Sequence, residues 1–271
     1  MRGPLIFLIL FAGLATAVPV DMPFRISRGM ILISPTIHGS ERPMNFILDS
    51  GAGVSVVSKN TATELGLSLI RGELIRTVDG TENAYRSETI HFNLGASSGG
   101  LRFSADPLVV DLSSESRTLG TIIDGLIGAD FFAGRSIKID FKRSRLHVSP
   151  VGKPGPSATR LPLLRGHDGM FVGLSAGDSA LPRVRLDTGC NRSLCWSPPA
   201  GSSLRGSRGG KTVKTDVNFG SLVMSDVPTD LYRRPLFSGE DGLLGTALLS
   251  RFETVWIDSV TTTAFSPPNA V

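Results

Sequence analysis

The sequence predicts an all-β protein built from two similar lobes, and three observations support this fold class. The chain of 271 residues contains 31 glycines and 17 prolines, a content typical of many short strands joined by turns. Long stretches with the apolar periodicity of a helix are missing from the sequence. Three short motifs occur twice, in the same order, in the two halves of the chain. The length allows one or two domains.

The internal repeat defines the two lobes. The repeated pairs are residues 46–52 (FILDSGA) and 184–190 (VRLDTGC), residues 124–128 (DGLIG) and 241–245 (DGLLG), and residues 137–140 (IKID) and 255–258 (VWID). The first pair is offset by 138 positions and the other two by 117 and 118, so the second copy is shorter by about 21 residues. A long unit that occurs twice indicates a two-lobed pseudo-dimer rather than a solenoid.

A segment dense in proline and glycine separates the two copies. Residues 149–159 (SPVGKPGPSAT) break both helix and strand, which is typical of a linker. We therefore expect a first lobe over residues 20–148, a second lobe over residues 160–266 and a short tail over residues 267–271.

The elements of each lobe follow from the hydrophobic pattern and the turn residues. The expected strands cover residues 30–33, 44–48, 53–57, 89–94, 101–103, 136–141, 181–186, 212–219 and 254–257. Short helices are expected over residues 59–65, 129–132 and 247–250, the first capped by Ser58 and closed by Gly66. Asp79-Gly80 is a strong signal for a tight hairpin over residues 77–81.

The first residues predict export. A positive start at Met1-Arg2, an apolar stretch over residues 5–14 and an A-x-A pattern at residues 15–17 are typical of a signal peptide. The apolar stretch is too short for a bilayer, which takes about 20 residues. We expect residues 1–17 to be removed after Ala17 and the protein to be periplasmic or secreted, without a stable membrane span. An uncleaved membrane anchor is the alternative.

Charge and histidine placement disfavour other classes of partner. The net charge is +4 and the pI near 9.4, yet the densest basic run, residues 205–214, contains no aromatic residue, so we expect no nucleic acid. The four histidines (His38, His91, His147 and His167) are dispersed without the spacing of metal ligands, and we expect neither metal nor cofactor.

The chain has two cysteines, Cys190 and Cys195. In an extended segment their Cα atoms would lie about 16 Å apart, far more than a disulfide permits. A bridge would require a tight turn between them, so we expect two free, partly buried thiols.

The repeated Asp-(Ser/Thr)-Gly motif carries the chemistry. An apolar strand that ends in Asp49 or Asp187 places a carboxylate where the chain turns into a loop. The following glycine, Gly51 or Gly189, allows close backbone approach and offers its N–H to that carboxylate. The hydroxyls of Ser50 and Thr188 are expected to link the two loops.

Two facing lobes would place the carboxylates of Asp49 and Asp187 side by side. Like charges raise the pKa of one partner, so such a pair holds one shared proton over a wide pH range. One carboxylate then activates a water as general base while the protonated partner polarises a substrate carbonyl. No metal or covalent nucleophile is needed for this hydrolysis.

These motifs resemble the pepsin/retropepsin-type aspartic proteases, and specifically the bacterial exported retropepsin-like proteins. The resemblance rests on residues 48–52 (LDSGA), residues 186–189 (LDTG) and the two Gly-Leu-(Ile/Leu)-Gly segments, and it extends over nearly all of the chain after residue 17. It implies two homologous acid-protease β-barrel lobes related by a pseudo-twofold in a single chain. It also implies an aspartic endopeptidase with a peptide or protein substrate, active as a monomer.

The resemblance assigns further roles by position. Gly128 and Gly245 would pass behind the aspartate loops and support them. The substrate-binding flap would match residues 77–85, with Val78, Asp79 and Gly80 near its tip. A second, shorter flap would match residues 208–211, with Gly209 and Gly210. Cys190 departs from the family's alanine or serine, and Tyr85 lies only near the position of the pepsin flap tyrosine.

Other interpretations of the same motifs remain open. The chain could be a catalytically silent module that binds extended peptides in the same cleft by strand pairing. It could also be a regulatory protease with one narrow substrate. The other repeated aspartates are expected to be structural residues of turns and strand ends, namely Asp124, Asp140, Asp241 and Asp258.

Overall fold

The computed structural model describes residues 19–40, 42–77, 80–95, 100–150, 152–166, 169–198, 211–258 and 262–266. In this part of the chain most residues belong to β-strands, and four short helices are interspersed among them. The predicted all-β fold class is therefore confirmed. None of these helices is long and apolar enough to cross a membrane.

The elements of the first half are β1 Val20–Pro23, β2 Arg25–Ser27, β3 Met30–Ile33, β4 Thr36–Ile37, β5 Phe46–Leu48, β6 Val56–Ser58, α1 Lys59–Glu64, β7 Leu69–Thr77, β8 Gly80–Ser87, β9 Ile90–Leu94, β10 Leu101–Ala105, β11 Leu108–Val110, α2 Ser113–Leu119, β12 Gly125–Ile127, α3 Ala129–Phe132, β13 Ser136–Asp140 and β14 Arg145–Ser149. Those of the second half are β15 Thr159–Arg165, β16 Met170–Ala176, β17 Ser179–Asp187, β18 Leu194–Trp196, β19 Lys211–Phe219, β20 Leu222–Leu231, β21 Gly242–Gly245, α4 Thr246–Leu249, β22 Thr254–Asp258 and β23 Thr262–Phe265.

Both halves contain the same arrangement of four strands, one of which carries the aspartate. In the first half β12 pairs in parallel with β5 and antiparallel with β6, and β6 is parallel to β11. In the second half β21 pairs in parallel with β17 and antiparallel with β18, and β18 is parallel to β20. The strands β5 and β17 are thus flanked alike, and an aspartate stands at the carboxyl end of each.

Two repeat-related strands join the halves. An 8-stranded sheet holds first-half strands in the order β2-β3-β5-β12-β6-β11-β8-β7, and a 3-stranded sheet holds β10-β9-β4. A 12-stranded sheet runs β1-β14-β13-β22-β23-β15-β16-β17-β21-β18-β20-β19 and mixes both halves. Its β13 and β22 pair antiparallel, with Ile137 opposite Ile257 and Ile139 opposite Val255.

Aromatic clusters fill the core of each half. In the first half the buried rings of Phe46 and Phe92 meet edge to face with centroids 5.5 Å apart. In the second half Phe219, Phe252 and Phe265 form a compact trio with centroids 4.9–5.3 Å apart. Each buried ring contributes on the order of 1.5–3 kcal/mol, so these clusters anchor the strands that carry the aspartates.

The expected cap of the first helix is confirmed. The hydroxyl of Ser58 accepts from the N–H of Thr61 at 3.1 Å, and Gly66 beyond the helix has φ of +64°. The strand expected over residues 53–57 was placed too early, since β6 begins at Val56. The residues between Asp49 and that strand form a turn, in which the N–H groups of Gly51 and Ala52 donate to the Asp49 carboxylate and that of Ser55 donates to Asp130. Helix α2 was not predicted.

Candidate active site

The two aspartates stand at the ends of corresponding strands. Asp49 follows β5 directly and Asp187 is the last residue of β17. The strand residues before them, Leu48 and Leu186, are fully buried and hold the loops in place. Asp187 is 8% exposed and Asp49 is half-buried, so both carboxyl groups are largely withdrawn from solvent.

Two hydroxyl groups tie the loops together across the junction. The hydroxyl of Thr188 donates to the Leu48 carbonyl at 2.7 Å and accepts from the Ser50 N–H at 2.9 Å. The hydroxyl of Ser50 donates to the Leu186 carbonyl at 2.7 Å and accepts from the Thr188 N–H at 3.1 Å. Both side chains are fully buried. These reciprocal bonds fix the two aspartate loops relative to each other.

Each aspartate lies against the glycine of the opposite loop. A Cβ atom on Gly51 would fall 2.3 Å from Cγ of Asp187, and one on Gly189 would fall 2.2 Å from Cγ of Asp49. Real Cβ atoms do not approach other atoms so closely, so only glycine fits at either position. This mutual approach brings the carboxyl groups of Asp49 and Asp187 into hydrogen-bond contact.

The electrostatics of the pair favour one shared proton. Burial raises the pKa of Asp187 well above its ordinary value, and the charge of Asp49 raises it further. Burial also raises the pKa of Asp49, although hydrogen bonds from backbone N–H groups favour the ionised form and lower this pKa in part. The two carboxyl groups titrate as a coupled pair.

The backbone donors are distributed unequally. Asp49 Oδ1 accepts from the N–H of Gly51 at 2.9 Å and from the N–H of Ala52 at 3.0 Å. Asp187 Oδ1 accepts from the N–H of Gly189 at 2.9 Å, whereas the N–H of Cys190 points to the main-chain carbonyl of Asp187 at 3.4 Å. Hydrogen bonds to a carboxylate stabilise its ionised form, so Asp49 is the better anion of the two.

The two glycines expected to support the loops lie at tight crossings. A Cβ on Gly128 would meet the carbonyl carbon of Val54 at 2.4 Å, and one on Gly245 would meet the Arg192 oxygen at 2.3 Å. The residue after each glycine is hydrogen-bonded to an aspartate loop. The N–H of Ala129 donates to the Ala52 carbonyl at 2.8 Å, and the N–H of Thr246 donates to the Cys190 carbonyl at 2.7 Å.

Of the expected flap residues, Gly80 lies within the part of the chain that the structure describes. It opens β8, faces Thr77 of β7 across the predicted hairpin and has φ of +143°. Tyr85 on the same strand packs its ring over Gly72, 3.4 Å from the position that a Cβ would take. Val78, Asp79, Gly209 and Gly210 lie outside the described residues.

Sequence reasoning missed the ion pair of Arg185 and Glu240 beside the site. Arg185 is 3% exposed and lies two residues before Asp187, and its guanidinium binds the Glu240 carboxylate. It also donates to the Gly51 carbonyl at 2.9 Å. A charged residue between the buried Val184 and Leu186 is the one signal in the sequence that could have indicated it.

Both thiols are free, as predicted: Cys190 is half-buried beside Asp187, and Cys195 is buried in β18. The contact between the two thiols and the burial of Cys190 raise the pKa of Cys190, which keeps that thiol neutral. Within the described residues, no cluster of histidine, cysteine and acidic side chains has the geometry of a metal site.

Comparison with known proteins finds a match in the first half of the chain. Residues 33–131 match the family model described as aspartyl protease, a segment that includes Asp49 and Gly128 but not Asp187. The match covers about a third of the chain. No curated protein matches the sequence.

Proposed function

We propose that this protein is an aspartic endopeptidase whose single active site combines Asp49 and Asp187. The observation that carries the proposal is the mutual arrangement of the two loops. Each loop places its glycine under the other's carboxyl group, and each hydroxyl bonds the other's backbone. A module that only binds peptides has no need of two buried carboxyl groups, whose desolvation lowers stability.

The proposed reaction follows from the inequality between the carboxyl groups. Asp49, with two N–H donors, is the ionised base that removes a proton from an attacking water. Asp187 keeps the shared proton and polarises the carbonyl of the scissile peptide. The proton that Asp49 removed from the water then passes to the departing amine, and the dyad returns to its starting state.

The family match supports hydrolysis of peptides in general, since it covers the first aspartate loop and its supporting glycine. Export and the division into lobes at residues 20–148 and 160–266 belong to the same proposal. Between Ser149 and Thr159 the described residues form no strand or helix, which supports a linker there. The equivalent strand pairings around β5 and β17 support a duplicated lobe.

The test is peptide cleavage by the full chain and by three variants. Asp49→Asn and Asp187→Asn are assayed on an unfolded-protein and peptide library from about pH 3 to about pH 8, with products identified by mass spectrometry. Asp178→Asn is the matched control, because Asp178 is exposed in the turn between β16 and β17. Circular dichroism verifies that each variant is folded.

Wild type and Asp178→Asn are expected to cleave the same bonds, and each dyad variant is expected to lose at least about 10³-fold in kcat/KM. A wild type that binds peptides without cleaving any would favour the silent module. Full activity in either dyad variant would refute the proposal.

A further inference from the structure

The buried ion pair of Arg185 and Glu240 stands out beside the dyad. Arg185 donates through Nε to Glu240 Oε2 at 2.9 Å and through Nη2 to Oε1, and both side chains are at most 8% exposed. Removing two charges from water costs about as much as their attraction returns, so such a pair is a poor device for stability alone.

The remaining nitrogen of the guanidinium points at the loop of Asp49. Nη1 of Arg185 donates to the carbonyl of Gly51 at 2.9 Å. The N–H of the same peptide group belongs to Ala52, and it donates to Asp49 Oδ1 at 3.0 Å. Arg185 and the Asp49 carboxylate are therefore joined through one peptide group, and hydrogen bonds in such a series polarise one another.

The arginine of the pair lies next to the Asp49 loop. Glu240 binds the Nε and Nη2 edge of the guanidinium, and Nη1 donates to that loop. The rings of Phe171 and Phe237 lie 5.1 and 4.7 Å from Arg185 Cζ. In a site enclosed in this way, the interaction between charges is weakly screened.

The position equivalent to Arg185 in the other half carries no charge. The residue 138 positions before Arg185 is Ile47, a buried apolar residue of β5. The peptide group equivalent to that of Gly51 and Ala52 lies between Gly189 and Cys190, and its N–H points to a main-chain carbonyl. The ion pair thus acts on one aspartate of an otherwise symmetric site.

We infer that Arg185 is a positioning residue, held by Glu240, that makes Asp49 the ionised base and leaves the shared proton on Asp187. Its catalytic meaning rests on the proposed function, but the ionisation of the dyad is measurable without turnover. The groups that face Asp49 are Asp187, Cys190 and Arg185. Burial raises the pKa of Asp49, and the charge of Arg185 is among the interactions that lower it.

The test is a pH titration of the two carboxyl groups by ¹³C NMR on aspartate-labelled protein, with signals assigned by the Asn variants. In Arg185→Met/Glu240→Leu, which removes both charges of the pair, the first ionisation of the dyad is expected at higher pH than in wild type. In Glu240→Gln, which removes the negative charge of the pair and keeps the arginine, the first ionisation is expected at lower pH. Arg185→Lys retains the positive charge, so its first ionisation should lie closer in pH to that of wild type than the first ionisation of the double variant does.

Arg42→Met is the matched control, since Arg42 pairs with Glu64 and Asp124 and not with the dyad. The inference is supported if the first ionisation moves in opposite directions in the double variant and in Glu240→Gln, and if both shifts exceed the shift in Arg42→Met. Equal titrations in wild type and the folded double variant would overturn it, as would shifts in the same direction. If the double variant does not fold, Glu240→Gln alone is the test. The inference is then refuted if the first ionisation in Glu240→Gln does not move to lower pH. A wild type without peptidase activity whose titrations still shift would refute only the proposed function.

Discussion

At the residue scale, the hydroxyls of Ser50 and Thr188 hold the site together. Each fills a donor and an acceptor position on the opposite loop, so both loops depend on both side chains. The sequence predicted that these hydroxyls link the loops, because a repeated hydroxyl next to a repeated aspartate indicates a symmetric contact. Which main-chain groups they bond follows only from the three-dimensional arrangement.

Thr188→Val and Thr188→Ser separate the hydroxyl from the rest of the side chain. Valine leaves the buried Leu48 carbonyl and Ser50 N–H unpaired, which should lower the free energy of unfolding by about 1–3 kcal/mol. Serine keeps both bonds, so its loss should be less than about 1 kcal/mol. Urea denaturation measures both values, and equal losses in the two variants would show that the hydroxyl is not what matters.

Arg185 shows the limit of prediction at this scale. Its charge within an apolar strand is visible in the sequence, but its partner Glu240 is 55 positions away in a loop. Nothing in the sequence pattern brings the two together, because loop residues have no periodicity that fixes which way they face. The same holds for the bond from Arg185 to Gly51, which crosses between the halves.

At the element scale, β12 and β21 lie beside the aspartate strands in the sheet, and the backbone of Val54 and of Arg192 leaves no room for side chains at Gly128 and Gly245. The resemblance to aspartic proteases implied a supporting role for both glycines. The early placement of strand β6 has a physical cause. Its β-branched residues favour extended backbone, but the N–H groups before it are used by Asp49 and Asp130 instead of a ladder.

Gly128→Ala tests this crossing, with Gly155→Ala as its control. The added Cβ would lie 2.4 Å from the carbonyl group of Val54, so backbone must move and the free energy of unfolding should fall by about 1–3 kcal/mol. Nothing lies within 4 Å of a Cβ at Gly155, so that variant should differ from wild type by less than about 0.5 kcal/mol. Thermal unfolding reports both, and an unchanged Gly128→Ala would contradict the packing described.

At the scale of the whole molecule, the pairing of β13 with β22 joins the two halves into one 12-stranded sheet, and the main buried core contains residues of both halves. The dyad lies where the halves meet, so its electrostatics bear on the stability of the entire fold. The sequence predicted the duplication from three motifs, whereas the joining strand pair followed only from the structure.

The pH dependence of stability should reveal the buried dyad. Burial raises the folded-state pKa of Asp187 above its ordinary value of 3.8, so its contribution to stability is present below that value and is lost as the pH rises through the folded-state pKa. Relative to wild type, Asp187→Asn should therefore gain in melting temperature between about pH 4 and about pH 7. Asp178→Asn removes an exposed carboxyl instead and should show no such gain. A constant difference between wild type and Asp187→Asn across this range would contradict a buried, protonated Asp187.

The most direct test of the central claim is the pH dependence of kcat/KM for one cleaved peptide. In the proposed mechanism the free protein needs Asp49 ionised and Asp187 protonated, so the profile should be bell-shaped. The acidic limb reports the first ionisation of the coupled pair. The alkaline limb reports loss of the remaining proton, whose pKa is raised by burial and by the charge of Asp49. A rate that rises through a single ionisation and stays flat to about pH 9 would contradict a dyad that works by sharing one proton.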